Sequence, residues 1–148
     1  MLTTRIATAA FVLAAPFTAY AHHSHGLFYD SCVTLTIDGK VDAIQWKNPH
    51  ILIDVKADDG TAYRAEWTSL QGLINGSAAG SAQDAVKVGE RIVFTGNPMR
   101  DPAQIRVSFP EFKGDGGLKI IDVATIRRAS DSWNWSRSPE STPGCARK

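Results

Sequence analysis

His50-Ile51-Leu52-Ile53-Asp54-Val55-Lys56, then Asp58-Asp59-Gly60, then Thr61-Ala62-Tyr63-Arg64-Ala65-Glu66-Trp67-Thr68, carries the reading that decides the fold. Both outer segments alternate apolar and polar residues, the period of strands with one buried face. Ile51, Ile53 and Val55 are odd-numbered, and so are Tyr63, Ala65 and Trp67. Both sets face one core only if odd residues pair with odd residues. A three-residue loop, Asp58-Asp59-Gly60, gives that register, with Gly60 in the left-handed position of a type I turn plus bulge. A two-residue loop would turn Glu66 into the core beside Ile53, which is costly for a carboxylate. The expected outer face therefore carries His50, Leu52, Asp54, Arg64 and Glu66. Glu66 should lie across from Leu52, diagonal to His50.

Upstream, Val33, Leu35, Ile37, Val41 and Ala43 alternate with polar residues, and Gly39 marks a bend. The apolar parity then switches to Ile44 and Trp46, as one extra residue in a bulge would make it do. Asn48-Pro49 breaks the strand before His50. Downstream, Ser69 to Ile74 reads as a short helix or turn with Leu70, Leu73 and Ile74 inward, and Asn75 to Asp84 as a Gly/Ser/Ala-rich loop. Further strands are expected over Arg91 to Gly96, over Ile105-Val107-Phe109 and over Leu118 to Ile126. A long bent strand, a hairpin, a helical connection and more strands predict an all-β chain. The expected architecture is a small five- or six-stranded OB-like Greek-key barrel with a short helical connection.

The start of the chain has a different character. Arg5 is followed by a run, Ile6 to Ala15, that is apolar apart from Thr8, and Pro16 ends any helix there. Ala19-Tyr20-Ala21 supplies the small residues of a signal-peptidase site. Residues 1–21 thus read as a secretory signal, 22–129 as one barrel domain with an N-terminal histidine segment, and 130–148 as a flexible polar tail. The apolar run is about half the length that spans a bilayer, and no second one follows, so no transmembrane segment is expected after signal removal. The location implied is periplasmic or secreted. The whole chain has 16 Lys and Arg against 15 Asp and Glu, and the signal takes one base and no acid with it. A balanced charge leaves no electrostatic footprint for nucleic acid. Cys32 and Cys145 are the two cysteines, and in an oxidising compartment a single disulfide is the natural pairing.

Cleavage after Ala21 makes His22 the first residue. His22, His23 and His25 are then three of the chain's four histidines, within four residues of a new α-amine. The fourth is His50. An N-terminal histidine offers its amine and ring together as a chelate, and a second imidazole completes a T-shaped or square arrangement. Amine and imidazole nitrogens suit Cu, Ni and Zn, and Cu(II) stands highest in the divalent series. The expected site is therefore metal: copper, with zinc as the alternative, held by His22, His23, His25 and His50. The bland reading makes His50 a cap of the Asn-Pro turn and leaves the terminal cluster in solvent.

The chain also resembles a family of small secreted bacterial proteins of uncharacterised function. The resemblance rests on His22-His23-Ser24 after a signal, on Trp46-Lys47-Asn48-Pro49-His50, and on Val88-Gly89-Glu90 turning into a strand, over roughly residues 20 to 126. It implies an exported protein and brings no settled activity. No Gly-x-Ser-x-Gly, phosphate loop or recognisable pair of catalytic carboxylates argues for an enzyme. The competing reading is a non-catalytic module that binds a small ligand or a periplasmic protein partner through Trp46 and Trp67.

Intact-mass analysis of the exported protein is expected to give His22 as the first residue. Any other start removes the terminal chelate from consideration.

Overall fold

A computed structural model describes residues 25–75, 85–108, 110–114, 116–138 and 145. The expected leader, His22, His23, residues 76–84 and Phe109 lie outside the described residues, as does the side chain of Ile74.

The hairpin adopts the odd-with-odd register. Strand β2 (Leu52–Ala57) pairs antiparallel with β3 (Ala62–Glu66), with Leu52 opposite Glu66, Ile53 opposite Ala65 and Val55 opposite Tyr63. Ala57 N donates to Thr61 O at 3.0 Å across the three-residue loop, and Gly60 takes φ 83°. Ile51, Ile53, Val55, Ala65 and Trp67 are each at most 1% exposed. Glu66 is thereby kept off the core face.

Strand β1 (Leu35–Gln45) is shared between two partners. Its second half, Gly39–Gln45, pairs with β2, and its first half, Leu35–Lys40, pairs with β4 (Arg91–Pro98). The bulge falls between Val41 and Ala43, so Asp42 is the extra residue. Ala43 is exposed in consequence, one position earlier than the apolar alternation suggests. Strand β5 (Lys119–Arg128) then lies antiparallel to β4 and parallel to β3. The circuit β1-β2-β3-β5-β4 closes on itself, which is a five-stranded barrel of the OB type. Closure needs tight approaches. A Cβ on Gly39 would sit 2.6 Å from Lys56 O, and one on Gly96 would sit 2.2 Å from Asp122 O. Only glycine fits at either crossing.

Helix α2 (Leu70–Asn75) is the connection between β3 and the later strands. Ser69 caps it, its Oγ accepting from Gly72 N at 2.9 Å. Leu73 is 3% exposed, and Leu70 packs against the core.

Two expectations are corrected. The stretch Ile105-Val107-Phe109 was expected as a strand, but Pro102–Ser108 is helix α3. Asp101 accepts at its carbonyl from Gln104 N and Ile105 N, and its Oδ1 accepts from Ala103 N at 2.8 Å. Asp101 is thus an N-cap and Pro102 a first-turn proline. Ile105 is buried while Val107 is 84% exposed, so the alternation there does not mark a sheet face. The reading of everything from Ser130 as a polar tail also fails in part. Asn134–Ser136 form β6, paired antiparallel with β5. Trp135 is 9% exposed, its ring 5.5 Å from that of Trp67, and Trp133 lies 6.3 Å away on the same ring. Aromatic burial outweighs the polarity of the surrounding residues.

The segment that begins at His25 is pinned to the barrel. Helix α1 (His25–Phe28) leads into a bridge between Tyr29 and Met99, and Arg100 N donates to Phe28 O at 2.8 Å. Cys32 and Cys145 form the expected disulfide across 113 residues. Among the described residues no helix is long and apolar enough to cross a membrane.

Gly96→Ala is expected to lower stability by about 1–3 kcal/mol in urea denaturation, the ordinary cost of overpacking. Gly26→Ala, whose Cβ meets nothing within 4 Å, is the control expected to change it little. Replacing both Cys32 and Cys145 with Ser is expected to cost about 2–4 kcal/mol by the same measurement, because a long loop is released in the unfolded chain.

Candidate functional site

The outer face of the β2–β3 hairpin and the pinned N-terminal segment meet at one side of the barrel. His50 lies two residues before β2, after a cis Asn48–Pro49 peptide. Glu66 is the last residue of β3, and Asp122 lies on β5 beside it in the parallel register. His25 opens α1, and Tyr29 follows it by one turn. Together these side chains line a cavity of about 380 Å³, whose apolar walls are Phe28, Pro49, Met99 and Phe112. A second, more open cavity of about 550 Å³ shares His25, His50 and Asp122 and extends toward Thr68, Ser69 and Arg137.

His50 does not cap the Asn-Pro turn. Its Nδ1 is 3.0 Å from the Trp67 carbonyl oxygen. A carbonyl only accepts, so this bond puts a proton on Nδ1, and in the neutral ring the lone pair is then on Nε2. Nε2 lies 3.6 Å from Glu66 Oε1, beyond hydrogen-bond length. The other carboxylate oxygen of Glu66 accepts from the Tyr29 hydroxyl. Burial pushes the Tyr29 phenol up, and the Glu66 charge adds to the shift, so Tyr29 stays protonated as a donor.

The second histidine is held differently. His25 Nε2 donates to one oxygen of Asp122, and Arg137 Nη2 donates to the other. The same Arg137 nitrogen reaches the Val123 carbonyl at 2.6 Å. Burial alone would raise the Asp122 carboxyl, but the His25 and Arg137 hydrogen bonds and the charges of Arg137 and His25 hold it below the usual carboxylate range. His25 Nδ1 is buried and has no hydrogen-bond partner among the described residues. Each described histidine thus has one nitrogen fixed, His50 Nδ1 by a carbonyl and His25 Nε2 by a carboxylate, and its other ring nitrogen without a hydrogen bond among the described residues. Among the described residues no three His, Cys, Asp or Glu side chains are grouped as a metal site.

Of the four predicted site residues, the structure brings His25 and His50 to one cavity, while His22 and His23 lie outside the described residues. Trp67, named in the competing reading, lines the second, more open cavity together with Trp135. The Trp67 ring is 1% exposed, wedged among Trp46, Trp133 and Trp135 as core. Asp122, Arg137 and the Tyr29 hydroxyl escape the sequence reading. The one signal for Asp122 was an acid interrupting Ile120-Ile121 and Val123 on the last strand.

No curated protein matches the chain. The model of a family of unknown function, DUF6152, matches residues 9–107, a span that includes all four histidines, Tyr29 and Glu66 but stops short of Asp122 and Arg137. With more than half of its length so matched, the chain belongs to the DUF6152 family of unknown function.

Proposed function

We propose that this protein is an exported metal-binding protein, using copper, with zinc as the alternative ion. Its ligands are His22, through ring and freed amine, His50, and a further imidazole from His23 or His25. The observation that carries the proposal is the His50 hydrogen bond to the Trp67 carbonyl. Ligating imidazoles characteristically donate their other N–H in this way, which fixes the tautomer and aims the free nitrogen. His25 supports the reading because it lines the same cavity. Three peptide links join it to His22, so their Cα atoms stay within roughly 11 Å of each other. Export is supported by the signal-like leader and by the Cys32–Cys145 disulfide, which belongs to oxidising compartments. The motif Trp46-Lys47-Asn48-Pro49-His50 acquires a role in this reading, since its turn delivers His50 to the cavity.

The apolar wall of Phe28, Met99 and Phe112 favours a second reading, in which the cavity takes a small, largely apolar ligand. Metal content of protein purified from the periplasm separates the two.

Titration calorimetry with Cu(II), on protein that begins at His22, tests the proposal. His50→Ala is expected to weaken binding at least tenfold, about 1.4 kcal/mol, and Lys47→Ala to leave it unchanged. One residue added before His22 should weaken it as much, because the amine moves away from its ring. Ligand nitrogens must be unprotonated, so affinity should fall on acidification. Equal binding by native and extended proteins eliminates the terminal chelate. Unchanged binding by His50→Ala eliminates the barrel's contribution.

A further inference from the structure

We infer that Glu66 is itself a metal ligand, paired with His50, and that Tyr29 is the residue that positions it. The inference rests on the metal reading above and adds to it a carboxylate and a preference among ions. It starts from the geometry of one pair. His50 is anchored through Nδ1 to Trp67 O, which turns Nε2 toward Glu66 Oε1, and in the neutral ring both of these atoms carry lone pairs. They face each other at 3.6 Å, too far to hydrogen-bond and with no donor between them among the described residues. A cation between the two satisfies both.

The spacing agrees with that role. With bonds of about 2.0–2.2 Å at a tetrahedral angle, two donor atoms on one ion lie about 3.4 Å apart. The observed gap needs to close only slightly. The backbone holds this gap in place: Glu66 ends β3 opposite Leu52, and Ile51 N and Trp67 N are bonded to Thr68 O and Ile51 O at 3.1 and 2.8 Å. The hairpin thus fixes His50 and Glu66 as diagonal neighbours on one face.

Tyr29 supplies the second shell. Its hydroxyl is bonded to Glu66 Oε2, so only Oε1 is turned toward His50. That leaves the carboxylate one free oxygen for a metal and fixes its rotation. Carboxylate oxygen is a hard donor that suits divalent ions, whereas Cu(I) prefers sulfur and imidazole. Glu66 therefore biases the site toward Cu(II) and Zn(II).

The test uses the full exported chain beginning at His22, titrated separately with Cu(II), Zn(II) and Cu(I) under competition with a chelator. Glu66→Gln keeps the shape and an acceptor for Tyr29, and Tyr29→Phe removes only the hydroxyl. Glu66→Gln is expected to lose about 10-fold or more in Cu(II) and Zn(II) affinity with a smaller loss for Cu(I), and Tyr29→Phe about 10–100-fold for the divalent ions, the range seen when outer-shell partners of ligands are removed. Equal losses for all three ions mean a structural role and overturn the inference. Wild-type levels of divalent binding in Glu66→Gln overturn it while leaving the metal reading intact. A wild-type chain that binds none of the ions overturns both.

Discussion

Keeping one carboxylate out of the core sets much of this molecule. If Glu66 pointed inward beside Ile53, an unpaired acid would sit among side chains with no polar partner, at a cost of several kcal/mol even after relaxation. The three-residue turn at Asp58-Asp59-Gly60 avoids this, and its left-handed glycine makes the turn possible. Once the register holds, Ile51, Ile53, Val55, Ala65 and Trp67 build one wall of the barrel. His50 and Glu66 must then share the opposite face. The core and the candidate site are two sides of one parity.

Closure of the barrel converts that face into a cavity. The parallel pairing of β3 with β5 sets Asp122 beside Glu66. Gly96 lets β4 approach Asp122 from the other side. The segments that begin at His25 and follow β6 then close over the same region. The N-terminal helix brings His25 to one oxygen of Asp122, and the segment after β6 brings Arg137 to the other. The disulfide ties residue 145 back to the turn after Tyr29, so the two segments are linked covalently as well.

Asp122 and Glu66 are handled in opposite ways. Asp122 is satisfied by a guanidinium and an imidazole N–H, and its charge is compensated inside the protein. Glu66 receives one neutral hydroxyl and faces His50 Nε2 at 3.6 Å. In the proposed metal site, that asymmetry, more than the number of histidines, is what favours a cation beside His50.

Strand period, the hairpin register, the position of the first bulge to within a residue, the short helix after β3 and the cysteine pairing were all legible in the amino-acid order. Each rests on local alternation, on turn chemistry, or on there being two cysteines to join. The histidine at the start of the second strand and the acid diagonal to it were legible for the same reason. Ile105-Val107 misled because alternation alone does not say whether a sheet edge is open to receive a strand, and β5 already fills that place beside β4. Trp135 misled because a short aromatic strand in a polar tail has value only when a buried ring such as Trp67 waits for it. His25 and Asp122 are 97 positions apart, and Tyr29 and Glu66 are 37 apart. No local pattern carries information about such pairs, because they are decided by which strands the barrel sets side by side and where the chain ends come to rest.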